Sequence, residues 1–290
     1  MDNMNKERLF TCLAQTRKEL HSQAPLIHCI THPIVINDCA NAVLALGARP
    51  IMAEHPAEVA DISASAAALT VSLGNITDAR AESMFLAGKA IKKMENAENA
   101  KRASVIDLVG ITCSSFRMEL AKRFIKDCEP AVIKGNGSEI RAMAGTAFHG
   151  TGVDVSAADA VTAKNPDTVR SMAHIARTLA KETGAVVLAT GEVDIIAPPD
   201  KDTVFAIYNG SPNMAKVTGT GCMLTCITGT YLAVTDALTA CVLAAITLDC
   251  AGECANAANG LGTYHIELIN QLSLMKEDKI AQLANIQLLQ

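Results

Sequence analysis

Seven residues, Val217-Thr218-Gly219-Thr220-Gly221-Cys222-Met223, stand directly before an apolar run that reaches Val234. Glycines allow a tight loop whose consecutive N–H groups converge on one point. A helix opening there adds the positive end of its dipole. The product is a socket for an anion such as phosphate. Cys222 stands at its mouth, where a helix N-terminus is expected to lower a thiol's pKa and fit it to accept a proton. An anion socket beside a base is what phosphoryl transfer to an alcohol needs. The same run also reads as a Gly-rich turn capped by a buried cysteine. Gly219, Gly221 and Cys222 are the residues on which the chemical reading turns.

Three other segments carry polar groups at places where strands should end. Lys134-Gly135-Asn136-Gly137-Ser138-Glu139 follows an apolar strand and opens a helix. Glu139 there can complete a capping interaction or hold Mg²⁺, directly or through water, since that ion needs only one or two carboxylates beside water and phosphates. Lys134 can meet a nucleotide phosphate. Asp107 precedes Gly110 and reads either as a turn former or as a second carboxylate for the metal. Thr190-Gly191-Glu192 ends a further strand, as a plain turn or a nucleotide contact. His28, Cys29, Asn37 and Met52 fall in the first quarter of the chain. Met52 offers a polarizable surface to a flat heteroaromatic ring, or is an ordinary core residue.

These segments need a scaffold, and the hydrophobic pattern supplies one. Lys6 to Leu20 reads as an amphipathic helix, Pro25 to Ile30 as extended, and Asn37 to Leu46 as a helix ended by Gly47. Arg49 to Met52 is extended, Ala57 to Ala68 helical, Leu69 to Asn75 a strand into a turn, and Asp78 caps a long helix to about Asn96. Strands at Ser104–Val109, Ala131–Lys134 and Ala185–Thr190 alternate with helices at Arg117–Lys126 and Asn165–Thr183, where Pro166 suits the first turn. Val193–Ala197 and Val204–Tyr208 form a hairpin around Pro198-Pro199-Asp200. The alternation predicts an α/β fold, a mostly parallel central sheet with helices on both faces, in one domain over residues 1–290. Ligands in such folds bind at the C-terminal strand ends, where the polar loops fall.

Composition narrows the class. Of 290 residues 50% are hydrophobic but only 3% aromatic, so the core is built from Ala, Val, Leu, Ile and Met. A net charge of −5 with no Lys/Arg-rich block argues against nucleic acid. The 10 cysteines include no C-x-x-C pair, so zinc is not expected, and Cys222/Cys226 and Cys250/Cys254 read as small core residues. The N-terminal Met1 to Glu7 holds no apolar signal segment. With reduced thiols this points to the cytoplasm. Ala237 to Ala258 contains Asp249 and Glu253 and reads as a buried helix, not a membrane span.

In order and spacing the pieces resemble the hydroxyethylthiazole kinase family of the ribokinase-like superfamily. The resemblance is carried by Pro25-Leu26-Ile27-His28 with Ile30-Thr31; Asn37 with Ala40-Asn41; Ala45 to Ala48 with Pro50 to Ala53; Gly135-Asn136 with Ser138-Glu139-Ile140; Thr190 to Asp194; and Thr218 to Cys222. It implies a ribokinase-like fold and phosphorylation of the hydroxyl of 4-methyl-5-(2-hydroxyethyl)thiazole, with ATP as co-substrate and Mg²⁺. It also implies a homotrimer whose active sites lie between subunits. Met52 and Gly219 fall where the family contacts the thiazole, and Asn37 is assigned to the same side. Lys134 and Thr190 fall where the family binds ATP, with Asn136 assigned beside them. Asp107 and Glu139 fall where it handles metal and phosphate, and Cys222 where many ribokinase-like enzymes carry an aspartate base. The chain departs from the family pattern in three places. Asp107-Leu108-Val109-Gly110-Ile111-Thr112-Cys113 lacks the usual Pro and carries bulk that could narrow the site. Cys29 replaces an Asn, and Lys134 replaces an Arg and its bidentate fork. Another small-molecule kinase or dehydratase on the same fold, and a silent nucleotide- or thiazole-binding protein, are the alternatives.

Overall fold

The computed structural model of the chain describes residues 6–98, 104–149 and 159–290. Residues 1–5, part of the segment read above as free of an apolar signal, lie outside them. The chain runs α1 (Lys6–Gln23), β1 (Leu26–Ile30), α2 (Ile36–Ala45), β2 (Arg49–Ile51), α3 (Val59–Ser65) and β3 (Ala68–Ser72). It continues through α4 (Asp78–Glu98), β4 (Ser104–Asp107), α5 (Ser115–Cys128), β5 (Val132–Asn136), α6 (Gly137–Met143), α7 (Pro166–Thr183) and β6 (Val186–Thr190). The hairpin β7 (Asp194–Ala197) and β8 (Val204–Ile207) leads to a 3-10 turn at Met214–Lys216. Then follow α8 (Thr220–Leu232), α9 (Ala237–Cys254), α10 (Leu261–Leu274), α11 (Glu277–Leu283) and β9 (Ile286–Leu289).

The strands form one sheet in the order β2-β1-β3-β4-β5-β6-β7-β8-β9. Every pairing from β2 to β6 is parallel, and the β6/β7, β7/β8 and β8/β9 pairings are antiparallel. Strands covered on both faces must be apolar at successive positions, not alternate ones. Ile106, Ile133, Val187 and Ile195 accordingly point into a core shared with α4, α5 and α7. Their neighbours Val105, Val132, Leu188 and Ile196 point into the opposite core, shared with α1, α8, α9 and α10. The expected architecture is therefore the observed one.

Local chemistry sets the helix ends. Asn165 accepts from Asp167 N ahead of Pro166, and Gly184 closes α7 at φ 70°. Ser114 caps α5 and Asp236 caps α9. Helix α9 is long and apolar enough to cross a membrane, yet thirteen of its residues are buried and it packs on α8 and three strands.

Three expectations are corrected. Helix α3 ends at Ser65 instead of reaching Ala68, because Ala66 is extended and Ala68 pairs with Ile27 in the sheet. Tertiary pairing overrides alanine's helix propensity there. Strand β5 runs on through Gly135 and Asn136, which pair with Ala189 and Thr190. Asp78 is the first residue of α4, and the capping bond from Arg80 N goes to Thr77 Oγ1 at 3.2 Å.

Candidate active site

The Gly-rich run opens α8 as expected. Gly219 is the residue before the helix, at φ 92°, and its carbonyl accepts from Met223 N at 2.8 Å. A side chain there meets Val35: an added Cβ would sit 2.7 Å from Val35 Cγ1. Gly221 is small for a different reason. A Cβ on it would lie 3.1 Å from Lys134 Nζ, so the ammonium lies close against the first turn of α8.

Lys134 is held there by its own strand and the next. It pairs in register with Asp107 across β4 and β5, and Nζ donates to Asp107 Oδ2 at 3.0 Å. Thr225, one turn along α8, donates to the same oxygen at 2.7 Å. Asp107 Oδ1 is buried with no hydrogen-bond partner. Burial alone would lower the Lys134 ammonium, but Asp107, Cys222 and Glu139 outweigh it and hold its pKa above the ordinary lysine value. A fixed cation and a helix dipole thus converge on one point.

Glu139 fills the first of its two expected roles, the capping interaction. It forms the capping box of α6 with Asn136: Glu139 N donates to Asn136 Oδ1, and Asn136 N to Glu139 Oε2 at 2.7 Å. Its other oxygen accepts from Gly110 N at 2.8 Å, which holds the loop after β4 against α6. Burial and then Asp107 push its pKa up to about 7. Among the described residues no group of three or more His, Cys, Asp or Glu stands at metal-binding distance. The orphaned Asp107 oxygen and the adjacent Glu139 fit an ion held mainly by water and phosphates.

The thiol of Cys222 overturns one expectation. Its pKa is not lowered but pushed up to about 12, first by burial and then by Asp107, against the opposing pull of Lys134. Desolvation and a nearby carboxylate outweigh the helix dipole. Cys222 shares a buried cluster with Cys29, Val35, Cys39 and Cys226, with Met52 packed at its edge. All 10 cysteines are free, and Cys222 and Cys226 are the small core residues their spacing suggested.

Of the remaining expected residues, Thr190 ends β6 beside Asn136, and its hydroxyl donates to Gly135 O at 3.4 Å. Asn136 commits its side chain to the capping box. Asn37 is exposed on α2 and accepts from Asn41 at 2.7 Å. His28 is structural, bonding Ser63 Oγ at 2.7 Å and Ala53 O at 2.9 Å. The altered loop does not crowd the site with Ile111, which is 1% exposed and packs into the core under α5.

Sequence reasoning missed His32, Thr225 and Arg117. The Arg117 guanidinium binds the carbonyls of Leu73, Gly74 and Val109, joining the loops after β3 and β4. Thr225 was findable, lying three residues after Cys222 on the same helix face. Nothing local marks His32.

Comparison with known proteins agrees with the geometry. The model of the hydroxyethylthiazole kinase family matches residues 17–278. Hydroxyethylthiazole kinase 2 of Clostridium botulinum is 43% identical over 266 residues, 92% of this chain and 96% of that protein. A solved hydroxyethylthiazole kinase protein from Pyrococcus horikoshii superposes with a TM-score of 0.82 at 28% identity, covering 97% of this chain and all of that one. A ribokinase-like superfamily protein from Enterococcus faecalis, 13% identical with a TM-score of 0.58 over 87% of this chain and 88% of that one, shares the fold. With a family match spanning nearly the whole chain and a fold that superposes throughout, the chain belongs to the hydroxyethylthiazole kinase family.

Proposed function

We propose that this chain is one kinase domain that transfers the γ-phosphoryl group of ATP to the hydroxyl of 4-methyl-5-(2-hydroxyethyl)thiazole. The observation that carries the reading is Lys134 Nζ lying against Gly221 at the N-terminus of α8, with Cys222 opening the same helix turn. Phosphoryl transfer is mostly positioning and charge stabilisation, because its transition state is loose. The amides of the first turn of α8 and the Lys134 ammonium receive the charge that spreads over the transferring group. Asp107 and Thr225 keep the ammonium in place. Met52 and Gly219 bound the thiazole side. Thr190, Asn136 and Lys134 face the nucleotide across the ends of β5 and β6.

In this reading Asp107 Oδ1 and, through water, Glu139 would hold Mg²⁺. When bound it supplies positive charge to the nucleotide phosphates. A homotrimer is supported by apolar surface at Ile34 and Leu44 and, on the neighbouring α10, at Ile266. The net charge of −5 and the free thiols suit a cytoplasmic enzyme with neither nucleic-acid nor membrane partners. The test is steady-state turnover of purified protein with ATP, Mg²⁺ and the thiazole alcohol, using hydroxymethylpyrimidine and a sugar alcohol as controls. Selective phosphorylation of the thiazole is expected. Turnover of a control alone would refute the substrate assignment, and binding without turnover would refute the kinase.

A further inference from the structure

The thiol of Cys222 has a neighbour that an anion socket does not require. His32 follows β1 by two residues, and its Nε2 stands 3.4 Å from Cys222 Sγ. The ring packs against Gly74, where any Cβ would strike it. Its Nδ1 is buried with no hydrogen-bond partner. The charged groups acting on the ring are Asp107, Arg80 and Arg117. Burial lowers its pKa below the ordinary histidine value, the two arginines add to that, and Asp107 opposes it. The imidazole is therefore neutral at pH 7 and free to accept a proton.

A thiol pushed up to about 12 keeps its proton at neutral pH. It can take a second proton only by passing on the first. Ser72 Oγ is 4.0 Å from Cys222 Sγ and is a hydroxyl, a far weaker base than imidazole. His32 Nε2 is the nearer and better acceptor.

We propose that His32 is a positioning residue for phosphoryl transfer that acts through Cys222, accepting the thiol proton at Nε2 as the substrate hydroxyl gives its own proton to Sγ. The inference rests on the kinase reading above. In the step the substrate O–H bond breaks and a new S–H bond forms. The old S–H bond breaks and an N–H bond forms at Nε2, with Nδ1 carrying the other ring hydrogen. The electron pair freed on the oxygen forms the bond to the γ-phosphorus. The bond from that phosphorus to the bridging oxygen breaks, and its pair leaves on ADP. Imidazolium His32 then loses its proton to water after product release.

The test is a double-mutant cycle with His32→Gln and Cys222→Ala. Glutamine keeps an oxygen for the thiol to donate to but cannot take a proton. His32→Gln is expected to lower kcat about tenfold, at the low end for acid–base assistance because a loose transition state asks little of a base. KM for both substrates should stay within about twofold, since proton acceptance contributes to the transition state and not to ground-state binding. The double variant should be no slower than Cys222→Ala alone. Wild-type kcat in His32→Gln, or losses that multiply in the double variant, would overturn the proposal. The S–H stretching band of Cys222, isolated as wild type minus Cys222→Ala in the infrared, needs no His32 variant. It should be shifted down from a free thiol's position, and an unshifted band would overturn the proposal. If wild type transfers no phosphate, the kinase reading falls by itself, while the infrared band still decides whether the thiol and imidazole are joined.

Discussion

Replacing Gly219 with alanine should damage stability and catalysis together, and the structure gives the size of each effect. Gly219 sits at φ 92°, where an L side chain costs roughly 1–2 kcal/mol. The new Cβ would also stand 2.7 Å from Val35 Cγ1 and 3.3 Å from Val35 Cβ. Val35 is fully buried and is the residue before α2, where its carbonyl accepts from Cys39 N, so it has little room to move. Forcing a methyl into such a place costs about 1–3 kcal/mol. Together the loss is about 2–5 kcal/mol, which for a chain of this size lowers Tm by about 3–8 °C. The same displacement moves the amides of the first turn of α8. A shift near 1 Å at a positioning element costs about a hundredfold in rate, so kcat/KM should fall by about 10- to 100-fold. Calorimetry and the steady-state kinase assay read the two quantities. Adding Val35→Ala removes the closer contact, with Val35 Cγ1, but not the backbone strain. The double variant should then be more stable than the two single losses predict, by about 1–3 kcal/mol. A Gly219→Ala protein that melts like wild type and keeps its kcat/KM would refute the socket. One that loses stability but keeps its activity would leave only a Gly-rich turn.

Lys134→Met strands the Asp107 carboxylate in a buried site and should cost about 3–5 kcal/mol by urea denaturation. Adding Asp107→Asn should restore stability but not turnover, and restored turnover would mean that the ammonium is structural only. Glu139 is held at about 7, against 4.5 for an ordinary carboxyl. Between those values the folded protein binds more protons than the unfolded chain, so stability falls as pH rises through that window, by about 3 kcal/mol. Glu139→Gln should remove this part of the slope when urea midpoints are compared at about pH 4.5 and about pH 8; an unchanged slope would move the effect to other buried acids. Met52→Ala should raise KM for the thiazole about fivefold, the worth of about 1 kcal/mol of sulfur–ring contact, and leave KM for ATP unchanged. Equal changes in both would remove Met52 from the substrate side.

How far the site was legible in the sequence depended on the range of each interaction. The opening of α8 at Gly219, the capping box of Asn136 and Glu139, and the hairpin around Pro198-Pro199-Asp200 are all local, and each was readable from residue type and spacing. The extension of β5 through Gly135 was not. Glycine there reads as a turn until β6 supplies a strand to pair with, and until Glu139 is seen to pack where a Cβ would stand. The raised pKa of Cys222 shows the same limit in electrostatics. Helix position is local and argues for a lowered thiol pKa, whereas burial and Asp107 act only once the chain has folded.

By itself the sequence determined the α/β alternation, the apolar strands covered on both faces and the polar loops at their ends. These follow from hydrophobic period and turn chemistry, which act over a few residues. Its motifs also carried the family. The tertiary structure alone decided that Lys134 would lie under Gly221 and be paired with Asp107, that Cys222 would keep its proton, and that His32 would stand beside it. Those contacts join residues 27 to 190 positions apart. No local preference encodes them, because which loops meet at one end of a sheet is set by strand order and packing.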